Sequence, residues 1–231
     1  QIGKGVGIIG KTVIAHGPEN LRQEFLPKIL ENDVEFAVGY SEPDAGSDAA
    51  SMRVKAVRHT TEDGTTGWML NGQKTWTTSA HFAEWYWVGA RTDPDNKHMG
   101  ITLMLVPLDH PGITINGIWT MGDERTNDVF FDDVFVPDRD VIGAVDDGWR
   151  AAMSTSSNER GMSLRSPARF LAPAERLVQA WKRRGGNPVF AARVADAWIK
   201  AQAYRLHTYG TVTRLSAGGE VGAESSVTKV F

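Results

Sequence analysis

VEFAVGYSEPDAGSD, residues 34–48, is where the chain changes character. Val34, Phe36, Val38 and Tyr40 alternate with a period of two, which predicts a strand. That strand runs directly into Pro43-Asp44-Ala45-Gly46, a tight-turn signal flanked by hydroxyls at Ser41 and Ser47. Backbone N–H groups and hydroxyls displayed at a strand end suit a polar cofactor edge or a pyrophosphate. An ordinary solvated turn has the same composition, and these residues alone leave both readings open. Glu42, Asp44 and Asp48 lack the D-x-[DN]-x-[DN]-G register of a calcium loop, so they read as turn carboxylates and no metal is expected.

The upstream residues, 1–33, have helical character. Val6, Ile8, Ile9 and Val13 precede Gly17-Pro18, a strong stop, and Leu21, Phe25, Ile29 and Leu30 recur at helical spacing. Pro27 predicts a kink or a boundary. Downstream, strand-like runs follow at Trp68–Leu70, Trp85–Ala90, Ile101–Val106, Ile113–Ile115 and Val129–Val136. Turn signals separate them at Asp63-Gly64, Asn71-Gly72, Asp93-Pro94 and Pro111-Gly112. No helix-period segment interrupts residues 34–147, which predicts an antiparallel barrel or sandwich. From Gly148 the pattern is helical again. Leu177, Val178 and Trp181 share one face, as do Val194, Ala195, Trp198, Ile199 and Leu206, and Gly185-Gly186-Asn187-Pro188 separates the two helices. The predicted organisation is α+β: a helical segment over 1–33, a β-domain over 34–147 and a helical region over 148–231.

Composition narrows the function classes. A chain of 231 residues, 41% of them apolar, can build a core. A net charge of −3 gives no electrostatic case for nucleic acid or an anionic membrane. With no cysteine, disulfides and thiolate metal sites are excluded. No apolar run approaches the ~18 residues of a membrane span. A cytoplasmic location is the default expectation, and a form from the mitochondrial matrix would look the same.

GVGIIGKT, residues 5–12, fits the phosphate-loop pattern G-x-x-x-x-G-K-[ST]. A phosphate loop needs a buried strand before it and a long helix after it, within alternating strands and helices. The long all-β stretch does not supply that alternation. A glycine-containing helix followed by a turn is the expectation here.

NGQKTWTTSA, residues 71–80, opens on a hairpin signal at Asn71-Gly72. Lys74 to Thr78 would then alternate along a strand, placing Trp76 and Thr78 on one face and Thr75 and Thr77 on the other. An indole beside a hydroxyl can cover a flat aromatic ring and bond its edge; a strand with a core Trp fits the same letters.

Four segments taken in order, YSEPDAGSD, LNGQKTWTTSA, GITLMLVPLDHPGI and MGDERTNDVFFDDVFVPDRDVIG, resemble the acyl-CoA dehydrogenase family. The E-P-x-A-G-S-D, N-G-x-K-x-W-T and F-x-D-V-x-V-P signatures, the last at Phe131–Pro137, match together along nearly the whole chain. The resemblance implies the end of an N-terminal helical domain, a middle β-barrel domain and the first helices of a C-terminal four-helix bundle. It implies that family members continue before Gln1 and after Phe231. It also implies α,β-dehydrogenation of an acyl-CoA thioester, with a carboxylate removing the α proton and the β hydride passing to N5 of FAD.

Carried over, the resemblance places Val38, Tyr40, Ser41, Gly46 and Ser47 along the flavin. Ser41 would face the pyrimidine edge, and Ser47 would sit near the pyrophosphate and the thioester ligand. Trp76 would cover the ring, with Thr77 beside it, and Thr78 would bond near N5. Glu159, in STSSNERG, matches the helix glutamate that serves as base in a minority of members, and Arg160 matches an arginine near the substrate. In other members the base comes from beyond the position of Phe231. An electron-transfer flavoprotein is the implied acceptor, and a homo-oligomer (dimer or tetramer) or a hetero-oligomer the implied assembly. An acyl-CoA oxidase, a flavin monooxygenase or a flavin-less partner subunit shares the same fold. The chain departs from the family at Gly185–Arg193, GGNPVFAAR, which lacks the R-x-x-F-G-x-P segment. The Lys182-Arg183-Arg184 cluster reads as a solvated helix end that complements the dipole, with CoA phosphates as the other reading.

Overall fold

Eight strands form one sheet in the order β6-β7-β3-β2-β4-β5-β8, with β1 added on β4, in the computed structural model of the chain. The structure describes residues 4–162, 166–219, 222 and 227, with the side chains of 160–162 excluded. The strands are β1 (Phe36–Gly39), β2 (Lys55–Thr60), β3 (Thr66–Lys74), β4 (Trp85–Arg91), β5 (Ile101–Pro107), β6 (Ile113–Trp119), β7 (Arg125–Pro137) and β8 (Val141–Ile142). The sheet has ends at β6 and β8, so it is open and not a closed barrel. It is also mixed: β1 runs parallel to the first half of β4, and β2 meets β4 in parallel at Lys55–Arg91. β2 escaped the sequence reading because only Ala56 of its six residues is buried, leaving no alternation to detect.

Asn71-Gly72 is not a hairpin turn. It lies inside β3, at a bulge where Leu70 pairs with Val134 and Gly72 with Phe131, so β7 carries the extra residue. The Asn71 side chain bridges the irregularity: its Nδ2 donates to Asp133 Oδ1 at 2.8 Å and its Oδ1 accepts the Asp133 N–H at 3.0 Å. The two φ values of +137° at Gly72 and +48° at Asp133 are the backbone signature of that bulge.

β4 and β5 are buried on both faces, which is why they read as unbroken apolar runs. Tyr86, Val88, Met104 and Val106 join one core with Leu70, Val129, Phe131 and Val134. Trp87, Leu103 and Leu105 face the other, built with helices α1 (Gly10–His16), α2 (Glu19–Glu31) and the start of α3 (Gly148–Met162) through Ile9, Val13, Leu21, Phe25, Ala151 and Ala152. Burying a side chain such as Leu103 on that face is worth about 2 kcal/mol. β1 follows no clean alternation: Phe36, Ala37 and Gly39 are buried while Val38 and Tyr40 are half-buried.

Pro27 does not end α2, which runs on to Glu31 and stops at Asn32, in the left-handed conformation (φ 62°). Asp33 N–H then closes onto Lys28 O at 2.9 Å, satisfying a carbonyl of the last turn. The Gly17-Pro18 stop is where α1 ends and α2 begins. GVGIIGKT is helical throughout, a π-type turn over Gly5–Ile9 leading into α1, so its glycines do not form an open cradle for phosphate.

The chain divides into two compact units, Gln1–Asn158 and Glu159–Phe231. In the second, α4 (Ala168–Arg183) and α5 (Ala191–Ser216) pack as a pair joined by a turn with φ of +81° and +64° at Gly185 and Gly186. The buried stripe of α5 is Val194, Ala201, Tyr204, Thr208 and Thr211. Ile199 and Leu206, expected on that face, are each 64% exposed. Among the described residues α4 is the helix packed along α5, and one neighbour covers only one side of a cylinder.

Candidate functional site: a cleft beside Trp76

Two segments that lie thirty-odd residues apart in sequence meet where β1 and β3 end. The bend after β1 is closed by two reciprocal backbone bonds, Glu42 N–H to Ala45 O at 2.9 Å and Ala45 N–H to Glu42 O at 3.1 Å. Thr75 N–H, just past β3, donates to Ser41 O at 2.9 Å and joins the two segments directly.

Beneath that joint lies a buried ion pair. Lys74 is fully buried, and its ammonium donates to Glu42 Oε1 at 2.8 Å. Glu42 also accepts the N–H groups of Arg53 (2.5 Å) and Val54 (2.9 Å). Glu42 is therefore a buried anchor and not the solvated turn carboxylate expected from its neighbours. Burial holds the Lys74 ammonium well below its ordinary range, at about 8, and the Glu42 charge limits the fall. Asp48, on the same bend, is exposed and accepts from Lys97 Nζ (2.7 Å) and Ser51 Oγ (2.6 Å), which lower its pKa.

β3 stops at Lys74, so residues 75–78 do not continue it as a strand. The expected two faces survive nonetheless: Thr75 and Thr77 are buried, Trp76 and Thr78 exposed. They survive because Trp76 takes up a left-handed conformation, φ 57°, and Ser79 another, φ 73°. For a bulky residue this costs on the order of 1–3 kcal/mol and requires surrounding structure to enforce it. Thr77 supplies that anchorage: its hydroxyl shares a 2.6 Å hydrogen bond with Tyr86 OH, its N–H donates to Asn127 O at 2.9 Å, and its carbonyl accepts from Asn127 Nδ2 at 2.8 Å. From the other side, Lys4 Nζ donates to Ser79 Oγ at 2.6 Å. Burial pushes the Tyr86 phenol far upward, so it stays protonated. Gly39 lies against that phenol; a Cβ there would sit 2.3 Å from the oxygen.

The result is a cleft of about 560 Å³ whose lining includes Trp76, Thr78, His81, Glu124, Arg125 and Thr126. The Trp76 indole is 61% exposed into it. Among the described residues, Thr126 Oγ1 is buried with no hydrogen-bond partner, an orphan polar atom of the kind a bound polar ring would satisfy. Burial and the Arg125 charge both lower the pKa of the His81 imidazole.

Among the residues that the family resemblance singles out, Ser41, Trp76, Thr77 and Thr78 are brought together. Gly46 and Ser47 lie exposed on the bend, Gly46 with open space where a Cβ would be. Val38 and Tyr40 turn their side chains to the helix-side core, and Tyr40 OH accepts from Trp87 Nε1 at 2.9 Å. Glu159 is exposed on α3, and the side chain of Arg160 lies outside the described residues. Sequence reasoning missed Asn127, Arg125, Thr126 and His81. The signal was a polar Thr-Asn pair in an apolar strand; Asn127 is fully buried there.

Residues 37–134 match the family model described as the acyl-CoA dehydrogenase middle domain, and residues 146–231 match its C-terminal domain. Acyl-CoA dehydrogenase IpdE1 of Mycolicibacterium smegmatis is 40% identical over 90% of this chain and 56% of its own length. Acyl-CoA dehydrogenase FadE34 of Mycobacterium tuberculosis is 41% identical over 95% of this chain and 30% of its own. The solved structure titled Tcur3481-Tcur3483 steroid ACAD superposes with a TM-score of 0.88 at 30% identity, over 98% of this chain and 58% of that one. The ChsE4-ChsE5 complex from Mycobacterium tuberculosis gives 0.83 at 30% identity, over 98% and 59%. The chain spans little more than half the length of most of these relatives. The two domain matches, the relatives and the eight-stranded sheet flanked by helices agree: the chain belongs to the acyl-CoA dehydrogenase family.

Proposed function

We propose that this chain forms the flavin-holding part of an enzyme that desaturates acyl-CoA thioesters between Cα and Cβ with FAD. The observation that carries this reading is the Thr75–Ser41 bond, which puts the hydroxyl-bearing bend and the exposed Trp76 indole at one place. The orphan Thr126 hydroxyl and the open space over Gly46 fit a polar cofactor with a flat ring. In this reading Trp76 would cover the flavin ring, Thr78 would bond near N5, and Ser41, Gly46 and Ser47 would hold the polar edge and phosphates. FAD, when bound, supplies the hydride acceptor.

Glu159 is the proposed base for the α proton. A base for a thioester α proton works best in a pocket from which substrate excludes water. Arg160 is proposed to lie beside the substrate. Two of the similar structures are named as assemblies of two different proteins, and one carries the name steroid ACAD. They support a hetero-oligomer and a steroid-derived acyl-CoA as the first partner arrangement and substrate class to try. The proposed electron acceptor is an electron-transfer flavoprotein; rapid reoxidation of the reduced protein by oxygen would instead favour an oxidase.

The visible spectrum of the purified full-length protein is the primary test. Flavin bands that bleach on adding acyl-CoA support the proposal, and a colourless protein that binds no added FAD sinks it. Glu159→Gln should retain the flavin bands and lose at least ~100-fold in turnover, the scale of a general base; full activity would move the base elsewhere.

A further inference from the structure

We infer that Asn127 is a positioning residue whose side-chain amide clamps the Trp76–Ser79 turn to β7 and thereby aims Trp76 and Thr78 into the cleft. The inference rests on the reading of that cleft as the flavin site.

The pairing register carries the argument. Lys74 is the last residue of β3 and pairs with Val129. The next backbone link between the two segments is Thr77 N–H to Asn127 O. Two steps along β7 therefore face three along the other segment. The surplus residue must leave the ladder, and the turn to a left-handed φ at Trp76 takes it out. A bulge of this kind re-aims a side chain, here an indole pushed to the surface. It also costs the ladder one bond, which would leave the Thr77 carbonyl unpaired in a buried place. Asn127 Nδ2 fills that gap at 2.8 Å.

The amide of Asn127 is itself held in a single orientation. Its Oδ1 accepts Arg125 Nε at 2.9 Å, and its Nδ2 also approaches His81 Nδ1 at 3.2 Å. A flipped amide would point its NH₂ at the Arg125 N–H and its oxygen at the Thr77 carbonyl, so the network admits one arrangement. Arg125 in turn needs the bare Gly117 beside it, where a Cβ would lie 2.9 Å from Nε. With Nδ2 as the donor, His81 Nδ1 must accept, which assigns the imidazole proton to Nε2.

Two substitutions in the full-length protein test this. Asn127→Leu keeps the branched shape and removes every side-chain bond, leaving only the backbone link from Thr77 N–H to the carbonyl of residue 127. Asn127→Asp keeps the acceptor for Arg125 and replaces the Nδ2 donor that serves Thr77 O and His81 Nδ1 with an oxygen, so it keeps the inference testable should the Leu variant not fold. The control is Asn71→Ala, which cuts the Asn71–Asp133 link between the same two strands at their other bulge. Amide hydrogen exchange across residues 75–80 of the flavin-free protein should speed up at least ~10-fold in either Asn127 variant and stay unchanged in Asn71→Ala. FAD titration should show a ~10-fold weaker Kd for the Asn127 variants, with an altered visible circular dichroism band for the flavin that remains bound. Unchanged exchange overturns the clamp. Faster exchange with unchanged FAD affinity and dichroism overturns its role in presenting the site. A wild-type protein that binds no FAD removes the functional reading instead, and the exchange result then decides the clamp by itself.

Discussion

The sheet and the α4–α5 pair use the same aliphatic residues to opposite effect. In the first unit Leu70, Trp87, Leu103 and Met104 are fully buried, because the sheet has a core on each face and three helices closing one of them. In the second, Ile199 and Leu206 are each 64% exposed and Tyr209 57%, on a helix with one described neighbour of any extent. One ion pair from each unit shows the same contrast, although exposed pairs such as Asp48–Lys97 occur in the first unit too. Glu42–Lys74 is almost wholly removed from water, while Asp196–Lys200, with a nearly equal separation of 2.7 Å, is 59% and 64% exposed. The difference teaches that an apolar or charged pattern states only what a segment can bury. The number of layers packed against it decides what it does bury.

The largest effect should come from breaking the buried pair. Glu42→Ala leaves the Lys74 ammonium without a counter-charge and two backbone N–H groups without an acceptor. A loss of about 3–5 kcal/mol is expected by chemical denaturation. Asp196→Ala, at the matching i,i+4 pair on α5, should cost no more than ~0.5 kcal/mol. Glu42→Gln with Lys74→Met should recover part of the loss, since the uncompensated charge is gone and an amide oxygen can still accept from Val54. Equal costs at the two pairs would break the comparison.

Much of this was legible in the residues, and where it was not the cause is physical. β4 and β5 announce themselves because two-sided burial demands unbroken apolar runs. β2 does not, because one buried alanine leaves no periodic signal. Asn71-Gly72 has the letters of a hairpin turn yet sits mid-strand. Its positive φ serves a bulge, and only the pairing partner at Asp133 distinguishes the two. Pro27 signals a kink or a boundary, yet α2 continues through it to Glu31. At the candidate site, the alternation that leaves Thr75 and Thr77 buried and Trp76 and Thr78 exposed was legible in the residues. The left-handed turn that exposes them was not, because it is imposed by Asn127, fifty residues away in sequence.

A middle-sized effect tests whether the sheet unit is optimised for stability throughout. Asp140 is buried beside β8, with a 3.9 Å approach from Arg139 as its one ion pair among the described residues, and burial raises its pKa from 3.8 to about 6, with Arg139 opposing the rise and Glu24 adding to it. A folded-state value above the unfolded one means the folded form holds the proton more tightly. The contribution is favourable below pH 3.8 and is lost as pH rises through 6. Asp140→Asn should therefore stabilise the protein by up to about 2 kcal/mol at pH 7–8, with the gain vanishing near pH 4. A destabilised variant at pH 8 would show that the carboxylate has a partner that the burial argument overlooks.

The smallest effect falls on the other side of the comparison and is the sharpest test of it. Ile199→Ala removes three carbon atoms that already stand 64% in water, and alanine is the better helix former. In this chain the change should stay within ~0.5 kcal/mol of zero, against the 2–5 kcal/mol of a buried aliphatic truncation. The same substitution made in the full-length protein, or in its complex with a partner chain, asks whether that face of α5 is covered there. A loss of about 2 kcal/mol or more in the larger context with none in this chain would mean that the exposed stripe is one side of a bundle completed by other helices. A near-zero effect in both would mean that the stripe is surface in the working protein too, and the contrast between the two units would then be a property of the fold itself.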